Sequence, residues 1–361
     1  MYLFTHIPCC SRDRVSVLHL DINPDSDATI FHPRVSHSMP PLPFRATFKL
    51  ISATETASIS LFRTHHFSPG IPFVFPRTAF ETSIPAIHKW FEPIQSPAPA
   101  GSAVRIKENY LLPLSDDVSV TVEVTTQDGS QRATFERTLM PLSVVLRHLQ
   151  AHTSSESRGS TSTPPRLYVA QHSLADLPAA LQRDVPAPEV VRGAGRGDVY
   201  GSSLWMGVAP THTPLHKDPN PNLFVQMAGT KAVRLLPPEA GLRLFAAARE
   251  SLARTSALDR DWDGGWLGRG GGLVGGLGSS MRGEDMMVGE EGRLTEEVVW
   301  ETNDDAESVE DIQGSEAILG PGDGIFIPKG WWHSIKGIGC GLNASVGSVH
   351  DAYPQWVAIS C

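Results

Sequence analysis

The sequence predicts a mainly β protein of the sandwich or jelly-roll class, with flanking helices and a glycine-rich and acidic insertion. Three observations carry this. From Arg166 onward, short apolar runs are separated by Gly and Pro: Asn222–Met227, Lys231–Leu236, Ala317–Leu319, Gly324–Pro328 and Leu342–Val346. Runs of that length bounded by residues that end regular structure read as strands joined by turns. A chain of 361 residues with 40% hydrophobic content can also bury a sizeable core. Finally, helix-like spacing is confined to segments outside these runs.

In chain order, residues 1–65 carry scattered Pro, Ser, Thr and His without sustained periodicity and read as a poorly ordered tail. Residues 66–165 read as an α/β flanking region. Within it, Ser83–Phe91 suits a short helix with Pro85 in the first turn, where a missing N–H costs nothing. Ser119–Thr126, then Asp128-Gly129, then a run including Ala133–Glu136, reads as a hairpin. Pro141–His152 has helical spacing, and Ser154–Pro165 is a Ser/Thr/Pro-rich loop. Residues 166–361 hold the strands and form the expected catalytic domain. An insertion over about 239–313 opens helically, from Glu239 to Leu258, and passes into the glycine-rich stretch after Trp262. So many glycines cannot make a regular element, because each loses too much backbone freedom on ordering. They lack the Gly-Lys-Ser/Thr ending of a phosphate cradle.

Charge and cysteines narrow the class. The formal charge of −9 gives no electrostatic reason for nucleic-acid binding across the whole surface, although a transfer RNA substrate stays open. Leu294–Pro328 holds ten acidic residues and no Lys or Arg. It reads as a solvated, partly mobile insertion, with a surface for a basic protein substrate as the sharper alternative. Four cysteines without Cys-x-x-Cys spacing argue against a structural zinc module and suit a reducing compartment, so an intracellular location, cytoplasmic or nuclear, is expected. No apolar run approaches the roughly 20 residues needed to span a bilayer. The N-terminus has no basic segment before its short apolar stretch, so it does not read as a secretory signal. Oligomeric state is not legible.

Chemistry concentrates at His216-Lys217-Asp218 and at His333 in Gly-Trp-Trp-His. Side chains two apart in a strand share a face, so His216 and Asp218 can address one metal while Lys217 points away. A histidine from a distant strand would complete two imidazoles and one carboxylate, leaving coordination positions open. A closed structural zinc site would want four protein ligands.

The surrounding sequence adds Leu167-Tyr168-Val-Ala-Gln171-His172, Trp205, Thr213, Asn222, Gln226, Lys231 and Leu319-Gly-Pro-Gly-Asp-Gly-Ile-Phe-Ile-Pro. Together these motifs resemble the JmjC family of iron(II)- and 2-oxoglutarate-dependent oxygenases, and most closely its small protein-hydroxylase branch. The resemblance runs from about Tyr168 to Val346 and is fainter over Phe67–Phe91. It implies a cupin fold, the double-stranded β-helix. It also implies His216, Asp218 and His333 as iron ligands, and Lys231 as partner of the distal carboxylate of 2-oxoglutarate. Tyr168 and Thr213 are then hydroxyls on that same carboxylate, and Asn222 and Gln226 polar groups near the cofactor, with strand-end turn chemistry as the rival reading for both. Trp205 is as well explained by core packing, and His172 and His212 are expected to be non-ligands.

The implied activity is hydroxylation of a C–H bond, most readily on a protein side chain. Demethylation of N-methyl-lysine is the first rival, and a non-catalytic binding protein of the same fold the second. The second is motivated by a departure from the family: Gly347 stands where relatives carry an Asn, and the residues after Val346 lose the resemblance.

Overall fold

The computed structural model describes residues 42–54, 58–94, 104–127, 133–153, 164–195, 199–262, 289–301 and 310–350. All fall within the unit spanning Met39–Cys361. The strands are β1 (Phe44–Leu50), β2 (Phe73–Phe75), β3 (Phe91–Pro93), β4 (Val104–Ile106), β5 (Ser119–Gln127), β6 (Ala133–Pro141) and β7 (Arg166–Ser173). They continue with β8 (Val199–Lys217), β9 (Asn222–Ala228), β10 (Thr230–Leu236), β11 (Glu310–Leu319), β12 (Gly324–Ile327) and β13 (Trp332–His350). The helices are α1 (Ile59–Phe62), α2 (Ala86–Lys89), α3 (Glu108–Leu111), α4 (Leu142–Thr153), α5 (Ala179–Asp184), α6 (Glu189–Ala194), α7 (Pro238–Trp262) and α8 (Glu290–Trp300).

Eleven strands form one mixed sheet, in the order β1-β11-β10-β13-β8-β7-β5-β6, with β9 and β12 branching from it and β2 closing on β12. The two 19-residue strands β8 and β13 make the frame. Along one side β8 pairs with β13. Along the other, β13 pairs first with β10, from Trp332 to Ile338, and then with β9, from Ala344 to Val349. The change of partner falls where Gly339 and Gly341 take positive φ and the register with β8 breaks. Residues without a Cβ meet that bend without strain. One long strand thus serves two layers, which is the jelly-roll arrangement expected of a double-stranded β-helix.

Between the layers lies an apolar cluster that includes Val74, Phe224, Val233, Leu235, Leu319, Ile325 and Ile335. A second cluster seats α7 and α8 against β1 and Trp332. A third and larger one joins the flanking region to the sheet through α4, whose Val145, Leu146 and Leu149 belong to it together with Val120, Val169 and Leu204. The helical period of 142–153 produces this, since residues three and four apart share the buried face.

Three sequence expectations change. The segment expected as a tail to residue 65 contains β1, which runs parallel to β11 from Phe44↔Glu310 to Leu50↔Glu316, and also α1. The insertion expected over 239–313 contains α8 and the start of β11, because Leu294, Val298, Val299 and Ile312 are buried. Nor is the acidic run a solvated insertion where it is described. Glu296 pairs with Lys336 at 2.7 Å, Glu297 with Arg293 at 3.1 Å, Glu310 with Arg243 and Glu316 with Arg234 at 2.5 Å. The basic partners sit outside the run, so the segment alone could not reveal them. The glycine-rich stretch after Trp262, the loop from Ser154 to Thr163 and the N-terminal start lie outside the described residues.

Candidate metal and co-substrate site

His216 is the penultimate residue of β8, and Asp218 follows the strand's end. His333 is the second residue of β13, directly opposite His216 in the antiparallel pairing. The strand alternation places His216 and Asp218 together, and the pairing of β8 with β13 brings in His333. One ligand atom from each of the three lies within 4.8 Å of the others.

The tautomers suit a metal. His216 Nδ1 bonds the Pro214 carbonyl at 2.8 Å, and His333 Nδ1 faces the Trp331 carbonyl at 3.3 Å. A carbonyl only accepts, so each Nδ1 carries its hydrogen and each Nε2 lone pair is free to ligate. Those two Nε2 atoms face the carboxylate oxygens of Asp218 at 3.9 and 3.7 Å. Asn222 Nδ2 donates to Asp218 Oδ2 at 3.2 Å, which orients the carboxylate. Burial, and secondly the neighbouring His216, hold the His333 imidazole well below its ordinary range, in the neutral form a ligand must have.

The second half of the site is built on Lys231, only 1% exposed. Its ammonium donates to Ser345 Oγ at 2.7 Å and Tyr168 Oη at 3.2 Å, and lies 5.1 Å from the Phe224 ring centroid. Thr213 and Thr211 are hydrogen-bonded to the Tyr168 hydroxyl, whose acidity burial suppresses. Among the described residues no carboxylate pairs with Lys231. Desolvation pushes its pKa down to about 7. A buried ammonium without a counter-ion is costly, and an incoming carboxylate would supply one.

Lys231, Tyr168, Thr213, Asn222 and the three candidate ligands line one cleft of about 1030 Å³. The donor set therefore fits iron(II) at one end and a dianionic oxo-acid reaching back to Lys231 at the other.

The other expected residues divide. Asn222 is at the metal end, 6% exposed, and its Oδ1 is buried without a partner. Gln226 is turned elsewhere. Its amide donates to the Ala228 carbonyl and to Asn343 Oδ1, while Asn343 bonds the Thr230 carbonyl, so it ties β9 to β13 instead of facing the cleft. Trp205 lines the cleft. His172 accepts from the Thr121 backbone N–H, and His212 lies 3.5 Å from Glu296, so neither joins the three candidate ligands.

Two residues escaped sequence reasoning. Ser345 shares a strand face with Gly347, two residues on, and that period could have flagged it. Glu123 lines the cleft because β5 pairs it with Tyr168 of β7, a register invisible in the sequence.

Among known proteins, residues 60–354, more than half of the chain, match the cupin-like domain. The chain is similar to lysine-specific demethylase JMJ30 of Arabidopsis thaliana, at 24% identity over 84% of this chain and 56% of that protein. It is also similar to Jumonji C domain-containing protein 5 of Drosophila melanogaster, at 23% over 79% of this chain and 56% of that protein. Lysine-specific demethylase 8 of Danio rerio is 34% identical over a shorter stretch, 26% of this chain and 23% of that protein. The chain thus spans about half the length, or less, of these curated relatives.

Proposed function

The chain belongs to the cupin-like domain family, in its JmjC branch of iron(II)- and 2-oxoglutarate-dependent oxygenases, and on that premise we propose that it hydroxylates a C–H bond on a protein side chain. The observation that carries the reading is the pairing, within one cleft, of a two-histidine, one-carboxylate group with a buried lysine that lacks an anionic partner. When bound, iron(II) and 2-oxoglutarate supply the oxidising chemistry by activating dioxygen.

The protein's own residues do the rest. His216, Asp218 and His333 hold the metal from one side and leave its other positions open. Their backbone and Asn222 hydrogen bonds fix the three donors before metal arrives, which lowers the cost of assembling the site. Lys231 binds the distal carboxylate, with Tyr168, Thr213 and Ser345 holding its ammonium and the surrounding hydroxyls in place. The ring of Phe224 by the ammonium keeps water from that charge, which strengthens the ion pair.

The complete ligand set supports catalysis over a purely binding role. Two of the relatives are named as lysine-specific demethylases. Demethylation begins with the same hydroxylation, placed on an N-methyl group, and differs in releasing formaldehyde. A protein substrate in the cytoplasm or nucleus suits this reading, and no described helix is long and apolar enough to cross a membrane.

The test has two stages. Anaerobic titration with iron(II) and 2-oxoglutarate is expected to give a visible charge-transfer band in the wild type. His216→Ala and Asp218→Ala should give none while keeping a native circular dichroism spectrum. Methylated and unmethylated peptide pools then separate the chemistries. Succinate with an oxygenated product and no formaldehyde supports hydroxylation, whereas formaldehyde from methylated peptides alone assigns demethylation. No band in the folded wild type would refute the cofactor site.

A further inference from the structure

We infer that Gly347 and Trp205 form a size-matched pair that sets the width of the cleft between the metal ligands and Lys231, which makes Trp205 a positioning residue for the co-substrate. The inference rests on the reading of the site given above. Gly347 lies in the middle of the sheet, opposite Ser203 of β8 on one side and Phe224 of β9 on the other. A Cβ at this position would stand 2.8 Å from Trp205 Cζ3, 3.1 Å from Trp205 Cη2 and 3.1 Å from Asn222 Oδ1. The first distance is closer than carbon atoms approach, and the others are tight.

Each neighbour has a contact on its far side. The Trp205 ring leans on Phe224, with centroids 6.2 Å apart, and the Lys231 ammonium lies 5.1 Å from the centroid of that same Phe224. Asn222 is held on its other side by its bond to Asp218 Oδ2 at 3.2 Å. A side chain at 347 would therefore press in two directions. One is the aromatic wall beneath the lysine, and the other is the amide that orients a metal ligand. The Trp205 ring borders the cleft on one side, so a push on it narrows the cleft as well as loading Phe224.

Gly347 is the position at which this chain lacks the Asn expected by resemblance. The indole occupies the space, so the glycine is complementary to Trp205 and is not a lesion of the site. Both ring atoms that a Cβ would strike belong to the six-membered half of the indole. Trp205→Phe removes that half, which makes the pairing testable.

The experiment compares wild type, Gly347→Ser, Trp205→Phe and the double variant. Two quantities are read: 2-oxoglutarate affinity from the anaerobic iron(II) band, and the thermal unfolding midpoint. Gly347→Ser is expected to weaken 2-oxoglutarate binding about ten-fold, shift the band and lower the midpoint. The double variant should recover most of both losses, since contacting residues are non-additive. The pairing is overturned if Gly347→Ser tightens 2-oxoglutarate binding, if it changes neither quantity, or if the double variant loses the sum of the two singles. A wild type that forms no band would sink the proposed function, while the unfolding measurements on the four proteins would still decide the pairing.

Discussion

In the proposed site, Lys231 trades stability for binding. Its pKa is pushed down to about 7 by burial, against an ordinary 10.5. Between those values the unfolded chain holds a proton that the folded protein lacks. This group's contribution therefore makes the protein more stable as pH rises through that window, with no further change below it. Lys231→Met should abolish that slope in urea titrations from pH 7 to 10. Without co-substrate, the variant should also be more stable than wild type at pH 7 by roughly 1–4 kcal/mol, as when other buried charges are replaced by apolar groups. Binding runs the other way. The carboxylate needs a charged lysine, so 2-oxoglutarate affinity should be flat below about pH 7 and weaken by up to about ten-fold per unit above it. A pH-independent wild-type affinity would show that Lys231 does not lose its proton in that window.

At the scale of elements, α7 is positioned by a single glycine. A Cβ on Gly241 would run into the Trp332 indole, the residue before His333. A glycine within a helix costs up to about 1 kcal/mol relative to alanine, and its presence in the first turn of α7 goes with this close approach. Gly241→Ala is expected to lower stability by about 1–3 kcal/mol through overpacking. Because the displaced indole adjoins the candidate ligand His333, the substitution should also weaken iron(II) or cobalt(II) binding, read by titration of the folded protein. Unchanged metal affinity would confine Gly241 to helix packing. On the same flank, Arg234 lies between the Phe48 and Trp300 rings, 4.6 and 4.5 Å from their centroids, and pairs with Glu316. Trp300 in turn donates to Ser334 Oγ, whose hydroxyl donates to the Thr213 carbonyl. Thus α8, read from sequence as part of a mobile insertion, braces both strands of the site.

For the whole molecule, the sheet ends at β1 on one side and β6 on the other. β1 covers β11 along seven paired residues, and Phe44 joins the cluster under α7 and α8. Phe44→Asp should therefore destabilise the folded unit by about 2–4 kcal/mol, by loss of apolar burial and burial of a charge. An unchanged unfolding midpoint would restore the reading of this segment as a dispensable tail. The ion pairing of the acidic run has a molecular consequence too. With Glu296, Glu297, Glu310 and Glu316 already partnered, the segment presents much less free negative charge than its composition suggests.

Local chemistry in the sequence determined β9, β10 and β12, parts of β11 and β13, the hairpin of β5 and β6, helix α4 and the candidate ligands. Period-two alternation, turn residues and a His-x-Asp spacing act within a few residues of one another, so a single segment contains them. Tertiary structure alone decided what depends on distant pairing. β1 has no strong strand signal of its own and is held by its register with β11. Gln226 and Asn222 looked alike as polar groups of β9, yet one meets Asn343 and the other Asp218, because they lie four residues apart along the strand and beside different parts of β13. Gly347 read as a defect until the Trp205 ring was seen to fill the space beside it. Side chains that meet across the sheet come from positions 142 residues apart, and no local pattern encodes that volume match.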